Sequence, residues 1–218
     1  MKTRFKAIIF DMDGVLIDSE PLHFVAYERL IANHGGLYSH EMNNQFLGKK
    51  DSEIAPLVVD TFNLPMSPEE FVRQKDHLFH NLIKENPVCL PGVTATLETA
   101  LALNLKTGLA SSSKMTTIEV IVDALKIKSY FHNLTSGDEV KNGKPAPDVF
   151  LLSANRMETA PQHCLVIEDT ENGVRAAKNA GMFCVAIPCE ATRFQKHEEA
   201  CLKLNSMEEL DLESLLNQ

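Results

Sequence analysis

Five short runs of almost uninterrupted apolar residues constrain the fold of this chain more than any other feature. The runs are KAIIF, KTGLA, HNLTS, CLVIE and FCVAI, which begin at residues 6, 106, 132, 164 and 183. Such runs are typical of strands that are buried on both faces of a parallel sheet. Segments of helix length lie between them, at 94–103, 114–125, 146–157 and 170–180. The pattern therefore predicts repeated βαβ units and a doubly wound α/β core.

Two further segments complete the predicted organisation. A sixth run, CLKL from residue 201, is followed by Ser206 and Glu209 at capping-box spacing, which indicates a last strand and a closing helix. Residues 11–105, between the first two runs, are far more than one crossover helix needs, and most of them have helical patterns. We therefore predict a core domain of residues 1–17 and 88–218, with a small helical-bundle domain of residues 18–87 inserted into it.

The clearest helix of the inserted domain has a recognisable beginning. Ser67, Pro68 and Glu70 suit the N-cap, the first helical position and the third helical position. A stripe of side chains at helical spacing follows: Phe71, Val72, Lys75, Leu78, Phe79, Leu82 and Ile83. This spacing predicts a long amphipathic helix.

Charge and composition narrow the classes of partner. The formal net charge is -9 and Lys and Arg form no dense cluster, so a nucleic acid is not expected to bind. No apolar stretch approaches the length of a membrane span, and the N-terminus lacks a signal pattern, which predicts a cytoplasmic protein with no membrane partner. The five cysteines have no CxxC spacing and are expected to be reduced and buried. We expect a monomer that binds a small molecule.

Polar side chains follow four of the predicted strands, at the edge where open parallel sheets bind their ligands. In chain order they are Asp11, Asp13, Ser111, Ser112, Lys144, Glu168 and Asp169. Two carboxylates about 4 Å apart repel by about 4 kcal/mol at an effective dielectric constant near 20. Asp11 facing Asp169 therefore implies a bound metal ion or a shared proton. Oxygen ligands alone favour Mg²⁺ over zinc.

These residue types suggest phosphoryl transfer. Mg²⁺ and the ammonium group of Lys144 would attract an anion, and the hydroxyl of Ser111 with nearby N–H groups suits phosphate oxygens. Ser112 either joins that phosphate contact or is an ordinary loop residue. Asp11 can attack phosphorus as a nucleophile, and Asp13, two residues along, can give a proton to the leaving oxygen.

Four motifs, taken in order, resemble those of the haloacid dehalogenase superfamily of phosphotransferases. They are DxDGVLxD at 11–18, a serine that ends the second strand, Lys-Pro-x-Pro-Asp at 144–148, and Glu-Asp at 168–169. The resemblance covers the whole chain and implies a Rossmann-like core. The helical insertion resembles the cap domain of the subfamily that includes β-phosphoglucomutase and many sugar phosphate and nucleotide phosphatases. The stretches LGKK and LPMSPEE resemble the pseudouridine 5'-phosphatase group.

The resemblance implies roles for the acidic residues. Asp11 would be the phosphorylated nucleophile and a metal ligand. Asp13 would be the general acid and base, and its main-chain carbonyl would also bind Mg²⁺. Asp169 would bind the metal directly, with Glu168 as a second acidic ligand or as a neighbour of one. Asp18 corresponds to a third aspartate that is more often a hinge or a loop brace than a reactant.

Contacts to phosphate and substrate follow from the same resemblance. Ser111 would hold the transferring phosphate, and Lys144 would bridge the nucleophile and the phosphoryl group. The further candidates for substrate contact are His23, Lys49, Lys50, Ser113 and Lys114. His23 could equally pack at a domain seam, and the two adjacent lysines could be solvated loop charges.

Three functions fit these residues. The first is a Mg²⁺-dependent phosphatase of a small phosphorylated metabolite, a sugar phosphate or a nucleotide-like monophosphate, with an aspartyl-phosphate intermediate. The second is a phosphomutase of the β-phosphoglucomutase type. Those mutases carry an arginine three residues after a cap glycine, where Gly48 here is followed by Lys49, Lys50 and Asp51. Ser113 and Lys114, however, resemble their contacts to a second phosphate. The third is a phospho-aspartate receiver module, although receivers lack the second aspartate and the cap.

Overall fold

A computed structural model describes residues 4–46 and 51–217 of the chain. The chain folds into two compact units. The first, here called the core unit, contains the described residues up to Asp18 and from Val88 onwards, and the second, the helical unit, is Ser19–Pro87. The domain bounds expected from the sequence, 1–17 with 88–218 and 18–87, differ from these by one residue at Asp18.

The core unit is built on a six-stranded sheet in which all neighbouring strands are parallel. The strands are β1 Ala7–Phe10, β2 Lys106–Ser111, β3 Asn133–Ser136, β4 Cys164–Glu168, β5 Phe183–Ala186 and β6 Leu202–Lys203. Their order is β3-β2-β1-β4-β5-β6, so the direction of winding reverses between β1 and β4. Each strand overlaps one of the predicted runs, and the predicted doubly wound α/β fold is confirmed.

The helical unit contains α1 Glu20–Ala32, α2 His40–Asn44, α3 Asp51–Phe62 and α4 Pro68–Glu85. The predicted beginning of α4 is confirmed, because the side chain of Ser67 accepts the backbone N–H of Glu70 at 3.2 Å and Pro68 takes the first helical position. Apolar side chains of α1, α3 and α4, among them Leu30, Val58 and Phe71, pack together as the core of this unit.

Five α-helices belong to the described part of the core unit: α5 Val93–Ala102, α6 Met115–Ala124, α7 Asp148–Arg156, α8 Glu171–Asn179 and α9 Leu212–Leu216. The first four overlap predicted helical segments. The predicted capping box at Ser206 and Glu209 is wrong. Ser206 accepts the N–H of Glu208 and caps only one 3₁₀ turn, because the chain becomes extended again directly after it. The closing helix begins at Leu212, with Asp211 as its N-cap.

Burial of the central strand fixes the residues that follow it. All four residues of β1 are inaccessible to solvent, and α7 and α8 pack Phe150 and Val174 against the same core as Ile9. The free cysteines correct one expectation, because Cys164 and Cys184 are buried as predicted but Cys201 is exposed. In the ranges 4–46 and 51–217, no helix is both long enough and apolar enough to cross a membrane.

Candidate active site

Four of the predicted residues meet at the carboxyl edge of the sheet. Asp11 directly follows β1, Glu168 ends β4, and Asp169 follows it, while Lys144 comes from the segment between β3 and α7. The Lys144 ammonium group donates to Asp11 Oδ1 and to Glu168 Oε1, at 2.6 Å in each case. Oxygen atoms of Asp11, Glu168 and Asp169 all lie within 4.8 Å of one another. Three carboxylates and one ammonium group therefore share one buried location.

Glu168 is held by the turn that links β4 to α8. Its Oε2 accepts the backbone N–H groups of Asp169 and Thr170, both at 2.8 Å, and the Thr170 hydroxyl at 3.0 Å. A Cβ atom at position 173 would collide with the Glu168 carboxylate, so Gly173 makes room for it at the beginning of α8. With Oε1 on Lys144, both oxygens of Glu168 are already engaged by protein donors. This arrangement suits a group that orients Lys144 better than it suits a metal ligand.

Asp169 is held on one side only. Its Oδ2 accepts a hydrogen bond from the Thr192 hydroxyl at 3.1 Å and one from the Cys189 thiol at 3.4 Å. Its Oδ1 is buried and has no hydrogen-bond partner among the described residues. Gly14, with a φ of +76°, lies so close that a Cβ atom there would collide with the Asp169 carboxylate. The site therefore requires glycine at this position for its backbone conformation and for space.

Burial and mutual repulsion disfavour the ionised forms of two of the carboxylates. Burial raises the pKa of Asp11 well above its usual value, opposed by Lys144 and reinforced by Glu168 and Asp169. Burial, together with the neighbouring Glu168, raises the pKa of Asp169 to about 7. Burial alone would lower the pKa of Lys144, but Asp11 and Glu168 outweigh it and raise the pKa. Lys144 is therefore a permanent cation that does not neutralise the cluster by itself.

The donor set fits a divalent cation. One lysine charge faces three carboxylates, and the buried Oδ1 of Asp169 needs a positive partner. Oxygen ligands without nitrogen or sulfur are typical of Mg²⁺ sites. Asp11 and Asp169 would hold such an ion. The main-chain carbonyl of Asp13, which the resemblance adds to the ligand set, stays a prediction.

A series of hydrogen bonds links the end of β2 to Asp13. The Ser111 hydroxyl oxygen accepts the N–H of Ser113 at 3.0 Å, and the Ser113 hydroxyl donates to Asp13 Oδ2 at 3.0 Å. The Ser113 carbonyl in turn accepts the hydroxyl of Ser136 at 2.8 Å. A hydroxyl that accepts in this way, as Ser111 does, still has its own proton for a phosphate oxygen. Ser113, predicted as a substrate contact, has its hydroxyl directed to Asp13.

The remaining predicted residues lie in different places. Ser112, between Ser111 and Ser113, is exposed, and Lys114 is an exposed residue at the N-cap of α6. Asp18 is also exposed. His23 belongs to α1 of the helical unit, where its ring stacks on that of Phe79 with centroids 3.8 Å apart. Lys49 and Lys50 lie outside the described residues.

Sequence reasoning missed two groups of polar residues. Cys189, Thr192 and His197 follow β5, and the rule that ligands bind beyond the carboxyl ends of the strands, which could have found them, applies to this strand as well. In the helical unit, the Lys75 side chain is only 1% exposed and donates to Asp51 Oδ2 at 2.5 Å. A charged residue inside an otherwise apolar helical stripe was the available signal for this ion pair.

The chain is similar to known proteins over most of its length. The model of the haloacid dehalogenase-like hydrolase family matches residues 8–187. A phosphorylated carbohydrates phosphatase of Thermotoga maritima is 36% identical over 181 residues, 81% of this chain and 82% of that protein. The "Probable pseudouridine-5'-phosphatase" of Drosophila melanogaster is 36% identical over 205 residues, 91% of this chain and 88% of that protein. The crystal structure of a β-phosphoglucomutase from Clostridium difficile superposes with a TM-score of 0.79 at 28% identity, covering 98% of this chain and 96% of that one.

Proposed function

Because the chain belongs to the haloacid dehalogenase-like hydrolase family, we propose that it is a Mg²⁺-dependent phosphatase that acts on a small phosphorylated metabolite. The observation that carries the proposal is the buried meeting point of Asp11, Lys144, Glu168 and Asp169 at the carboxyl edge of the sheet. The match to a hydrolase family favours an enzyme over a receiver module. The reaction proposed has two halves, which share the same residues.

In the first half, a carboxylate oxygen of Asp11 forms a bond to phosphorus while the bond from phosphorus to the alcohol oxygen breaks. Asp13 gives its proton to the departing oxygen, so the product leaves as a neutral alcohol. The hydrogen bond from Ser113 holds Asp13 in one orientation for this transfer. Lys144 keeps Asp11 in place and offsets negative charge on the phosphoryl oxygens, and the Ser111 hydroxyl donates to one of them.

In the second half, water attacks the phosphorus of the aspartyl-phosphate. Asp13, now ionised, takes a proton from that water, and the bond between phosphorus and Asp11 breaks. Inorganic phosphate leaves, and both aspartates return to their starting states. A bound Mg²⁺ would supply positive charge at the phosphoryl group, and Asp11 and Asp169 would hold it.

Replacement of the nucleophile tests this proposal. Asp11→Asn keeps the size and the planar shape of the side chain but removes the nucleophilic carboxylate. We expect turnover of p-nitrophenyl phosphate in the presence of Mg²⁺ to fall below a few per cent of the parent value, with unchanged circular dichroism. Asp123→Asn, on the exposed face of α6, is the matched control and should retain full activity. Substantial activity in Asp11→Asn would refute the assignment.

The substrate class is proposed from the relatives. One is named for phosphorylated carbohydrates and another for pseudouridine 5'-phosphate, so both classes belong in one panel. Comparison of kcat/KM over sugar phosphates, polyol phosphates and nucleoside monophosphates, with pseudouridine 5'-phosphate among them, would identify the alcohol. A flat profile over the whole panel would contradict a dedicated small-metabolite phosphatase.

A phosphomutase is the second candidate. The structural similarity to a β-phosphoglucomutase favours it, because both enzymes would begin with the same aspartyl-phosphate. In the mutase, that phosphoryl group passes to another hydroxyl of the sugar instead of to water. Activity that depends on a sugar bisphosphate activator and conserves sugar phosphate would support the mutase. Stoichiometric release of inorganic phosphate would support the phosphatase.

A further inference from the structure

The loop between β5 and β6, residues 187–201, holds Asp169 at two points. Its side chain is held by Thr192 and Cys189, which donate to Oδ2 at 3.1 Å and 3.4 Å. Its backbone is held by His197, whose Nε2 lies 2.7 Å from the main-chain oxygen of Asp169. A carbonyl oxygen only accepts hydrogen bonds, so this nitrogen carries the proton and donates.

The loop is itself firmly fixed. The Thr192 oxygen accepts the N–H of Cys189 at 3.0 Å, and the N–H of Thr192 donates to the Cys189 carbonyl at 3.2 Å. The Thr192 oxygen also lies 3.4 Å from the Cys189 sulfur, where either atom could be the donor, but a carboxylate oxygen accepts, so the contact with Asp169 uses the Thr192 hydroxyl proton. Farther along the loop, the Gln195 side chain accepts the N–H of Glu171 in the first turn of α8. Thr192 and His197 are both buried, at 7% and 4% exposure.

The two carboxylate oxygens of Asp169 differ in the number of hydrogen bonds that they accept. Oδ2 has two donors, whereas Oδ1 is just as inaccessible and has none in the described part of the chain. Burying a carboxylate oxygen without a partner is unfavourable, and native structures rarely leave one so. A loop that served only to bury Asp169 would gain by satisfying both oxygens. The unequal treatment instead marks Oδ1 as an atom reserved for a ligand.

We propose that Thr192, Cys189 and His197 are positioning residues that present a single oxygen of Asp169 to a divalent cation and thereby favour Mg²⁺ over Ca²⁺. The inference rests on the metal site of the proposed function. Mg²⁺ has a strict octahedral shell, whereas Ca²⁺ accepts six to eight oxygens and often takes both oxygens of one carboxylate. To bind through both oxygens of Asp169, Ca²⁺ would have to displace the hydroxyl and the thiol from Oδ2.

Calorimetric titration of the metal-free full-length protein with MgCl₂ and with CaCl₂ tests this directly. Partners that orient a metal ligand typically change metal affinity by about 10-fold to 100-fold. We expect Thr192→Val to weaken Mg²⁺ binding by about 10-fold, to weaken Ca²⁺ binding less, and so to lower the preference for Mg²⁺. Thr192→Ser, which keeps the hydroxyl, should restore the parent values. Cys189→Ala should have a smaller effect, because a thiol is a weak donor.

Thr107→Val is the matched control. Thr107 is a buried threonine at the beginning of β2, far along the strand from the site, and its hydroxyl donates to the carbonyl of Tyr130. This variant should lose stability but keep both metal affinities. In the p-nitrophenyl phosphate assay, Thr192→Val should need more Mg²⁺ for half-maximal rate, while saturating Mg²⁺ restores most of kcat. A purely structural role would not produce that separation.

The outcomes distinguish this inference from the proposed function. A parent protein that binds no Mg²⁺ would overturn the metal site and this inference with it. A parent protein that binds Mg²⁺, with Thr192→Val binding each metal as tightly as the parent does, would overturn the positioning role alone. Should Thr192→Val fail to fold, Thr192→Ala removes the same hydroxyl without adding an apolar branch. Unchanged affinities in that variant would also refute the inference.

Discussion

Each unit contains a buried lysine that is paired with carboxylates, and the two lysines have different roles. Lys144 in the core unit donates to Asp11 and Glu168, and Lys75 in the helical unit forms ion pairs with Asp51 and Asp76. Their side chains are 8% and 1% exposed. The surroundings differ. The side chains of Asp11 and Glu168, which pair with Lys144, are only 8% and 0% exposed, and Asp169 lies close to both. The two carboxylates that pair with Lys75 retain 32% and 21% exposure.

The difference appears in the pKa values of the carboxyl groups. Burial would raise the pKa of Asp51, but Lys75 and the hydroxyl of Tyr27 outweigh it and lower the pKa. In the core unit, burial raises the pKa of Asp11 and of Asp169 in spite of Lys144. Both oxygens of Asp51 have donors, since Tyr27 donates to Oδ1 at 2.6 Å and Lys75 to Oδ2. The negative charge of Asp51 in the helical unit is thus balanced by its donors. The carboxylates around Lys144 in the core unit still require a further positive charge.

The roles of the two lysines can be distinguished by removing each charge in turn, beginning with Lys144. Lys144→Met should lower kcat for p-nitrophenyl phosphate by about 10²- to 10³-fold, because it removes a fixed charge that faces the transferring group. Lys141→Met, an exposed lysine in the same segment, is the control and should leave kcat unchanged. Near-parental turnover in Lys144→Met would mean that this lysine is as structural as Lys75.

Removal of the second charge should act on stability. Lys75→Met leaves the partly exposed Asp51 without its cation, and we expect the free energy of unfolding to fall by about 2–3 kcal/mol in urea titrations. A second replacement, Asp51→Asn, should recover part of this loss, because the double variant has no unpaired charge at that position. Lys84→Met, on the exposed side of the same helix, supplies the baseline. An equal loss in Lys84→Met would contradict the ion-pair explanation.

A smaller effect is expected from the hydroxyl that completes the helical-unit pair. Tyr27→Phe removes the donor to Asp51 Oδ1 and should lower the free energy of unfolding by about 1.5 kcal/mol. Differential scanning calorimetry would measure the change as a lower Tm. An unchanged Tm would indicate that water replaces the tyrosine hydroxyl without loss.

The smallest effect concerns pH. The folded pKa of Asp51 is lowered, so its ionised form stabilises the fold fully above the unfolded value of about 3.9 and loses that effect as the pH falls through the folded pKa. The difference in unfolding free energy between the parent and Asp51→Asn should therefore be constant from pH 5 to 7 and shrink below about pH 4, by about 1.4 kcal/mol for each unit of pKa shift. Urea titrations at several pH values would record it, and a difference that grows with acidification would reverse the assigned sign.

The positions of the strands and the residues at their ends could be predicted from the sequence, because both are local signals. A continuous apolar run identifies a buried strand, and the parallel arrangement brings the ends of β1 and β4 together. This reasoning placed Asp11, Lys144, Glu168 and Asp169 correctly at one edge. It also located the helical insertion, since ninety-odd residues between two strands need their own core.

The missed contacts depend on how distant segments return to each other. Cys189 and Thr192 contact Asp169 across some twenty residues, and Lys75 contacts Asp51 across 24. No periodic pattern encodes such pairs. The position of Ser113 shows the same limit, because its closeness to Asp13 depends on the alignment of β1 and β2 and on the turn after each strand. Capping signals failed at Ser206, where a good cap begins only a 3₁₀ turn.

The location of β1 has a consequence for how the protein opens. This strand is paired along its length with β2 and β4 and is wholly inaccessible to solvent, whereas β6 at the sheet margin has two residues. Amide protons of Ile8 and Ile9 should consequently be among the slowest to exchange with deuterated solvent, and those near β6 among the fastest. Asp11 therefore directly follows a strand that is expected to unfold only when most of the molecule has unfolded.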